Sequence, residues 1–418
     1  MKTKSSPCPS AGIVVQCPAL MTLKLHLKPG RDIPIVRGHP WIMSGAISRA
    51  EGNRQLDEAD ILAANGTFIA RATVHPSSDI RARVFSTEPG DQLDAPGIKA
   101  RLKLALERRQ HWLPWGLDTA ARLVSSECDG LPGLIVDRYA DVLVIQLLTA
   151  PWESRRDILV ETLQNLLHPK TIWERSDVDI RRHEELEPRK GLLTGAPLTA
   201  PIPFQENGLR FLADVENGHK TGFYLDQRTN RHTLSHWIGQ LGKPRVLNVF
   251  AYTDSFGICA LNAGAKSVLS LDSSTSAKEL ADHQLALNRD CDPAKRDYRL
   301  GDAFELLRQL REEKARFDLI ILDPPKLVSR KAKMQQGLRA YKDINLLACQ
   351  LMNAGGVLFS YSCSGLVDRD LFGKVIEGAA RDARRAVQFL DNLGQPPDHP
   401  RKPGFPESDY LKGFVVGF

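Results

Sequence analysis

From about residue 205 to the C-terminus, short apolar runs alternate with longer helical segments, and this alternation constrains the fold more than any other feature. Arg245-Val-Leu-Asn-Val-Phe250 precedes a predicted helix around 256–262, and Ser267-Val-Leu-Ser-Leu271 precedes one around 276–288. Phe317-Asp-Leu-Ile-Ile-Leu322 comes before a helix around 344–352, and Val357-Leu-Phe-Ser-Tyr361 before one around 368–381. Strand, helix, strand repeated in this way predicts an α/β fold with a parallel sheet covered by helices on both faces. Ligands of such sheets bind beyond the carboxyl ends of the strands, so residues at those ends are the candidates for function.

The first half of the chain reads differently. Between about 22 and 95, strand-like runs (Leu23 to Leu27, Ile33 to Val36, Thr67 to Val74, Ile80 to Phe85) are punctuated by Pro, Gly, Asp and Asn, as in a small β-domain. A helical, basic stretch follows from about 97 to 117. A second β-rich section contains Leu134-Ile-Val-Asp-Arg138 and Val142-Leu-Val-Ile-Gln146, then a helix from about Trp152 to Leu167. Pro197, Pro201 and Pro203 suggest a boundary. The expected division is a disordered leader over 1–20, a β-domain over 21–95, a β-rich middle domain over 96–200 and the α/β domain over 201–418.

At 418 residues, two or three domains are expected. Lys plus Arg number 56 against 50 Asp plus Glu, a mildly basic balance compatible with a polyanionic partner. The seven cysteines (Cys8, Cys17, Cys128, Cys259, Cys291, Cys349 and Cys363) are scattered and never spaced C-x-x-C. That argues against a disulfide framework or zinc site and for a reducing, cytoplasmic setting. No apolar run approaches the roughly 18 residues of a membrane span, so no membrane partner is expected.

Three places at strand ends bear on a cofactor. The turn after the first strand, Asn248 to Gly257, carries Phe250, Ala251, Tyr252 and Thr253 and is not G-x-G-x-x-G. A pyrophosphate reading therefore loses its main support, whereas S-adenosylmethionine, which has no phosphate, needs only polar groups there. Asp272 ends the second strand and suits the two ribose hydroxyls. Asp302, with Ala303 beside it, suits the adenine amine. The alternative for both acids is a helix N-cap.

The fourth run ends in Asp323-Pro-Pro-Lys326, where two prolines stop the ladder and leave Asp323 at the sheet edge. The fifth ends in Tyr361-Ser-Cys-Ser364, which brings Cys363 to the same edge. A thiolate adding to carbon 6 of a cytosine would make carbon 5 nucleophilic, and a thiol with a pKa lowered by cations or a helix N-terminus suits that task. Asp323 would hold the polar edge of the pyrimidine and assist proton transfer. The alternative for Cys363 is an inert structural thiol. Six basic residues lie between 326 and 342, beginning with Lys326, and would meet phosphates if they form a loop beside this edge.

Several motifs in one order resemble the bacterial 23S ribosomal RNA cytosine-5 methyltransferases, the large subunit methyltransferase I family. They are His219-Lys-Thr-Gly-Phe-Tyr-Leu-Asp-Gln-Arg228, Asp323-Pro-Pro-Lys326, Tyr341-Lys-Asp-Ile-Asn345, Ser362-Cys-Ser-Gly365, Asp398-His-Pro400 and Tyr410-Leu-Lys-Gly413. Arg37-Gly-His-Pro-Trp41 and Asp129-Gly-Leu-Pro-Gly-Leu-Ile-Val-Asp-Arg138 look like that family too. The resemblance implies an N-terminal PUA domain, a β-rich middle domain and a Rossmann-like class I methyltransferase using S-adenosylmethionine. It implies Cys363 as nucleophile, the stretch from Thr221 to Arg228 (with Gln227) near the cofactor, and Arg228, Lys326, Arg37 and Trp41 on the RNA. The implied partner is 23S ribosomal RNA or a large-subunit precursor, met by a monomer or homodimer.

The chain departs from the family at Asp254 and Ser255, where two glycines are usual, and at Leu327, where Phe is common. Asp tolerates a positive φ better than most residues, or it would meet the methionine amino group, or it would weaken cofactor binding. Two other functions compete: methylation of an exocyclic amine or guanine nitrogen, and a non-catalytic RNA-binding assembly factor.

Overall fold

The computed structural model describes residues 22–113 and 119–418. The proposed leader, and the end of the helix expected to reach 117, lie outside the described residues. The chain forms two compact units, the first ending at Leu93 and the second starting at Asp94.

In the first unit six strands form one sheet. Their spatial order is Trp41–Met43, Ile80–Ser86, Phe68–Val74, Glu58–Leu62, Leu23–Leu27 and Ile47–Gly52. Alternating side chains supply its core, among them Leu23, Leu25, Ile42, Ile61, Ala70 and Ala82. The run Ile33–Val36, expected as a strand, is a single helical turn. Pro34 in its first turn is the reason, since a fixed φ near −65° is already helical. Arg37 closes that turn and is exposed, while Trp41 is half-buried with its ring edge-on to His39.

The second unit opens with a helix over Ala95–Trp112, capped by Asp94, which accepts from the Gly97 amide at 2.9 Å. A five-stranded sheet follows, ordered Arg189–Gly195, Thr171–Ser176, Val142–Leu147, Leu134–Tyr139 and Ala120–Ser125. The helix expected from 152 starts at Arg156, after a short turn through Trp152. No division falls near residue 200. The hairpin Ile202–Glu206 and Leu209–Ala213 instead carries Phe204 and Phe211 into an apolar core that runs from Tyr139 through Phe223 to Phe359 and Val415.

The C-terminal sheet has seven strands: β1 Arg245–Val249, β2 Ser267–Asp272, β3 Arg296–Leu300, β4 Phe317–Leu322, β5 Met352–Ser362, β6 Gln388–Gly394 and β7 Lys412–Gly417. Their order is 3-2-1-4-5-7-6, with β7 antiparallel to both neighbours. β1, β2 and β4 are rich in Val, Leu and Ile, and β5 is buried from Gly356 onward, because helices cover both faces. The helices are α1 Arg228–Leu241, α2 Ser255–Asn262, α3 Thr275–Leu287, α4 Ala303–Glu312, α5 Met334–Leu351 and α6 Arg369–Asp382. α5 begins ten residues before the expected start, so Arg339 and Lys342 are helical and only 326–333 remain outside the helix. Gly337 sits within it because a side chain there would meet Leu327 and Val328 at about 2.5 Å.

Candidate active site

Strand order reverses between β1 and β4, and there the carboxyl ends of the sheet open into a cleft of about 420 Å³. A reversal leaves a gap between diverging loops, which is where α/β sheets bind ligands. Phe250, Ala251, Tyr252, Asp272, Gln227, Asp323, Lys326 and Cys363 all line it. Sequence reasoning had no single-residue reading for further wall residues, notably Tyr224, Asp226, Arg231 and Tyr410. Three of these four lie within or just past the motif that opens at His219.

The loop after β1 passes through left-handed backbone three times in five residues: φ is 62° at Phe250, 48° at Tyr252 and 61° at Asp254. Each such residue costs roughly 1–2 kcal/mol, so the surroundings must hold the loop. The Tyr252 amide donates to Asp272 at 2.8 Å, and the Tyr298 hydroxyl donates to the Tyr252 carbonyl at 2.7 Å. Gln284 donates to the Thr253 carbonyl at 2.5 Å. The Asp254 carboxylate, wholly buried, accepts from Asn248 at 2.9 Å and Ser270 at 2.6 Å and pairs with Arg296 at 2.6 Å.

Asp254 thus occupies a position that does need positive φ. The suggestion that its acid meets the methionine amino group is corrected, because its carboxylate is committed to Asn248, Ser270 and Arg296 and Asp254 does not line the cleft. Asp302 is exposed and caps α4, accepting from the amides of Phe304 and Glu305 at 2.9 and 3.1 Å. Neither it nor Ala303, which is buried in the core beneath, lines the cleft, and Asp302 does act as the N-cap of α4. Thr253 is buried and does not line the cleft. Arg228, expected on the RNA, is buried instead, 3.3 Å from Asp398 and 3.6 Å from Glu206, where a phosphate has no access.

On the other side, Asp323 accepts from the Gln227 amide at 2.8 Å. Burial pushes its carboxyl up to about 7, and the negative charge of Asp226 adds to the rise. The Cys363 thiol lies 3.9 Å from the Pro324 carbonyl, a contact that ties the end of β5 to the Pro-Pro turn of β4. Its expected low pKa is not found. Burial first, then the charges of Asp323 and Asp226, push the thiol up to about 11 against the pull of Lys220.

A buried polar lattice fixes the backbone on both sides of Cys363. The Tyr341 hydroxyl lies 3.0 Å from both Ser362 and Ser364. Asn345, one helical turn on, accepts from Ser360 at 2.8 Å and donates to the Tyr341 carbonyl at 2.8 Å. The Lys412 ammonium, 2% exposed, donates to the carbonyls of Ser364 and Val367 at 3.0 and 2.7 Å. The i, i+4 spacing of Tyr341 and Asn345 puts both on the α5 face toward β5.

Residues 126–411 match a sequence family described as S-adenosylmethionine-dependent methyltransferase, and residues 25–87 match a PUA-like domain. The ribosomal RNA large subunit methyltransferase I of Escherichia coli O139:H28 is 42% identical over 401 residues, covering 94% of this chain and 99% of that protein. The protein of the same name from Aeromonas salmonicida is 44% identical over 397 residues, covering 95% and 99%. The chain belongs to the S-adenosylmethionine-dependent methyltransferases of the large subunit methyltransferase I family.

This methyltransferase also shares its fold with a solved methyltransferase complexed with SAH, at a TM-score of 0.81 and 21% identity over 94% of this chain and 100% of that one. A Streptococcus mutans SAM-dependent methyltransferase gives the same TM-score at 20% identity and the same coverage. S-adenosylmethionine is the cofactor, and the cleft fits it. Asp272 stands at the end of β2, and Ser255 and Phe256 bring the N-terminus of α2 to the wall, a place for a carboxylate. Tyr224, Tyr252 and Phe250 offer aromatic faces to a ring or to a positively charged sulfur. Lys220 and Arg231, on the same wall, are paired with Asp226 and Glu206, so they are not poised for a pyrophosphate. Among the described residues no cluster of His, Cys, Asp and Glu is arranged for a metal, and no helix is long and apolar enough to cross a membrane.

Proposed function

We propose that the protein methylates carbon 5 of a cytosine in large-subunit ribosomal RNA through a covalent Cys363 adduct. The observation that carries the reading is the convergence of a thiol and a near-neutral carboxyl, Cys363 and Asp323, on the cofactor cleft. A methyltransferase acting on a nitrogen has no use for a thiol there. The curated relatives bear the name ribosomal RNA large subunit methyltransferase I, which supports an RNA of that subunit as substrate. We take the PUA-like unit with Arg37 and Trp41, and Lys326 at the cleft mouth, as RNA contacts. The wider arrangement is a PUA-like part, a β-rich middle part and a catalytic part, working in the cytoplasm.

When bound, the cofactor supplies an electrophilic methyl group. The Cys363 thiolate adds to carbon 6 of the cytosine, and the displaced electron pair makes carbon 5 nucleophilic. Asp323 in its acid form donates a proton to ring nitrogen 3, which receives the charge released by the addition. After carbon 5 has gained the methyl group, a base removes its proton. The returning electron pair then expels the Cys363 thiolate and frees nitrogen 3 to return its proton to Asp323. Burial and the charge of Asp323 hold the resting Cys363 thiol in its protonated form, so it must lose its proton before it adds.

The test is incubation of the purified protein with labelled S-adenosylmethionine and unmodified large-subunit ribosomal RNA, followed by nucleoside analysis, for wild type and Cys363→Ala. Labelled 5-methylcytidine from wild type alone is the expected result. A labelled base methylated on nitrogen, or an active Cys363→Ala protein, would overturn the mechanism. RNA binding without transfer would point to the non-catalytic assembly factor.

A further inference from the structure

Asp226 is 3% exposed and lines the cleft beside Asp323. One of its oxygens, Oδ2, accepts from the Lys220 ammonium at 2.5 Å and from the Tyr410 hydroxyl at 2.8 Å. The other, Oδ1, is buried with no hydrogen-bond partner. A buried carboxylate oxygen left unpaired is costly, and one belonging to a residue of the cleft wall is a place for a ligand's donor. Burial alone would protonate this acid, but Lys220 and His399 hold it well below the usual carboxylate range. Asp226 is therefore ionised and can only accept.

The neighbouring acid behaves in the opposite way. Asp323 is raised toward neutrality by burial and by the charge of Asp226, so it can donate. One fixed acceptor next to one available donor is a template for an edge that presents a donor next to an acceptor. The Watson–Crick edge of cytosine has that pattern, with its 4-amino group beside nitrogen 3. Uracil has the reverse, and its carbonyl oxygen would face an anion.

We propose that Asp226 selects cytosine over uracil, its unpartnered oxygen accepting a hydrogen bond from the exocyclic amine of the target base. This rests on the cytosine reading above and adds the residue that enforces it. Gln227, which donates to Asp323 while its own carbonyl accepts from Asn230, and Arg231, which is paired with Glu206, pull the Asp323 carboxyl down, but burial and the charge of Asp226 outweigh them.

The experiment compares kcat/KM on two large-subunit ribosomal RNA transcripts, differing only in cytidine or uridine at the position that wild type methylates. Asp226→Asn keeps the shape of the side chain, removes its charge and offers an amide donor to a carbonyl. The cytidine-to-uridine preference should fall by roughly 10- to 100-fold in this variant, with 5-methyluridine becoming detectable. Asp226→Ala carries the same comparison should the amide variant fail to fold, since a ratio of two substrates on one protein is insensitive to the folded fraction. An unchanged ratio would overturn the proposal, whether or not overall activity falls. A fall in S-adenosylhomocysteine affinity with that unchanged ratio would instead assign the oxygen to the cofactor. Absence of 5-methylcytidine from wild type would sink the cytosine reading and this proposal together, an outcome distinct from a variant that fails alone.

Discussion

Replacing Arg296 with Met would strand the Asp254 carboxylate beneath the cofactor loop. Asp254 is 0% exposed and the Arg296 side chain only 5%, so the pair sits out of water at 2.6 Å. Removing one partner of such a pair costs about 3–5 kcal/mol, because the remaining charge has no solvent to turn to. Asn248 and Ser270 still donate to Asp254, which places the expected loss near the lower end, about 3 kcal/mol. Asp254→Gly should cost less, about 1–2 kcal/mol: it gives up the pair but relieves a left-handed residue, and Arg296 keeps Asp282 at 2.6 Å. The double variant should resemble Asp254→Gly rather than the sum of both changes. Urea unfolding of the four proteins measures the cycle, and titration with S-adenosylhomocysteine shows whether the loop still binds. Strict additivity, or an Arg296→Met protein as stable as wild type, would refute the view that this ion pair holds the loop.

Alkylation of Cys363 by iodoacetamide, followed by mass spectrometry of its peptide, should be slow at pH 8 and rise about tenfold per pH unit toward 10, because the thiol is pushed up to about 11. Asp323 has the linkage sign of a raised acid: the folded chain keeps a proton that the unfolded chain releases. Its contribution to stability is therefore complete below about pH 4 and lost as pH climbs through 7, and Asp323→Asn should flatten that part of a denaturation-versus-pH curve. If Asp323→Asn leaves the curve unchanged, the raised pKa is wrong. Asn345→Leu keeps the volume but leaves the Ser360 hydroxyl without its acceptor, so we expect a loss of about 1–3 kcal/mol and a lower kcat with little change in cofactor affinity.

The sheet's core was legible because β1, β2, β4 and β5 are apolar runs that only a buried parallel strand explains. β3 carries no such signal: Arg296-Asp-Tyr-Arg-Leu300 lies at the sheet edge, and its side chains serve the loop rather than the core. β6 was hidden in the same way by an exposed edge. Cys363 and Asp323 could be found from strand ends alone. Asp226, Arg231 and Tyr410 could not, since Asp226 and Arg231 come from the segment before α1 and its first turn, and Tyr410 from the approach to β7, none of them at the end of a predicted strand. The pKa of Cys363 was missed because its largest cause is burial, which a strand-end motif does not reveal, and the charge of Asp323 adds to it more than Lys220 takes away.

The segment that covers the cofactor cleft is fastened to the β-rich sheet upstream. Arg175 of that sheet donates to the carbonyls of Val215 and Gly218 at 2.7 and 3.0 Å, and Tyr139 and Asp137 both hydrogen-bond the Thr221 hydroxyl, at 2.9 and 2.7 Å. His219, next to these anchors, stacks on Tyr252 with ring centres 4.7 Å apart. The middle region therefore serves as a buttress for one wall of the catalytic chamber. A fragment cut at residue 200 would shed that buttress, leave Phe204, Phe211 and Phe223 without Tyr139 and Val144, and lose cofactor before it lost its sheet.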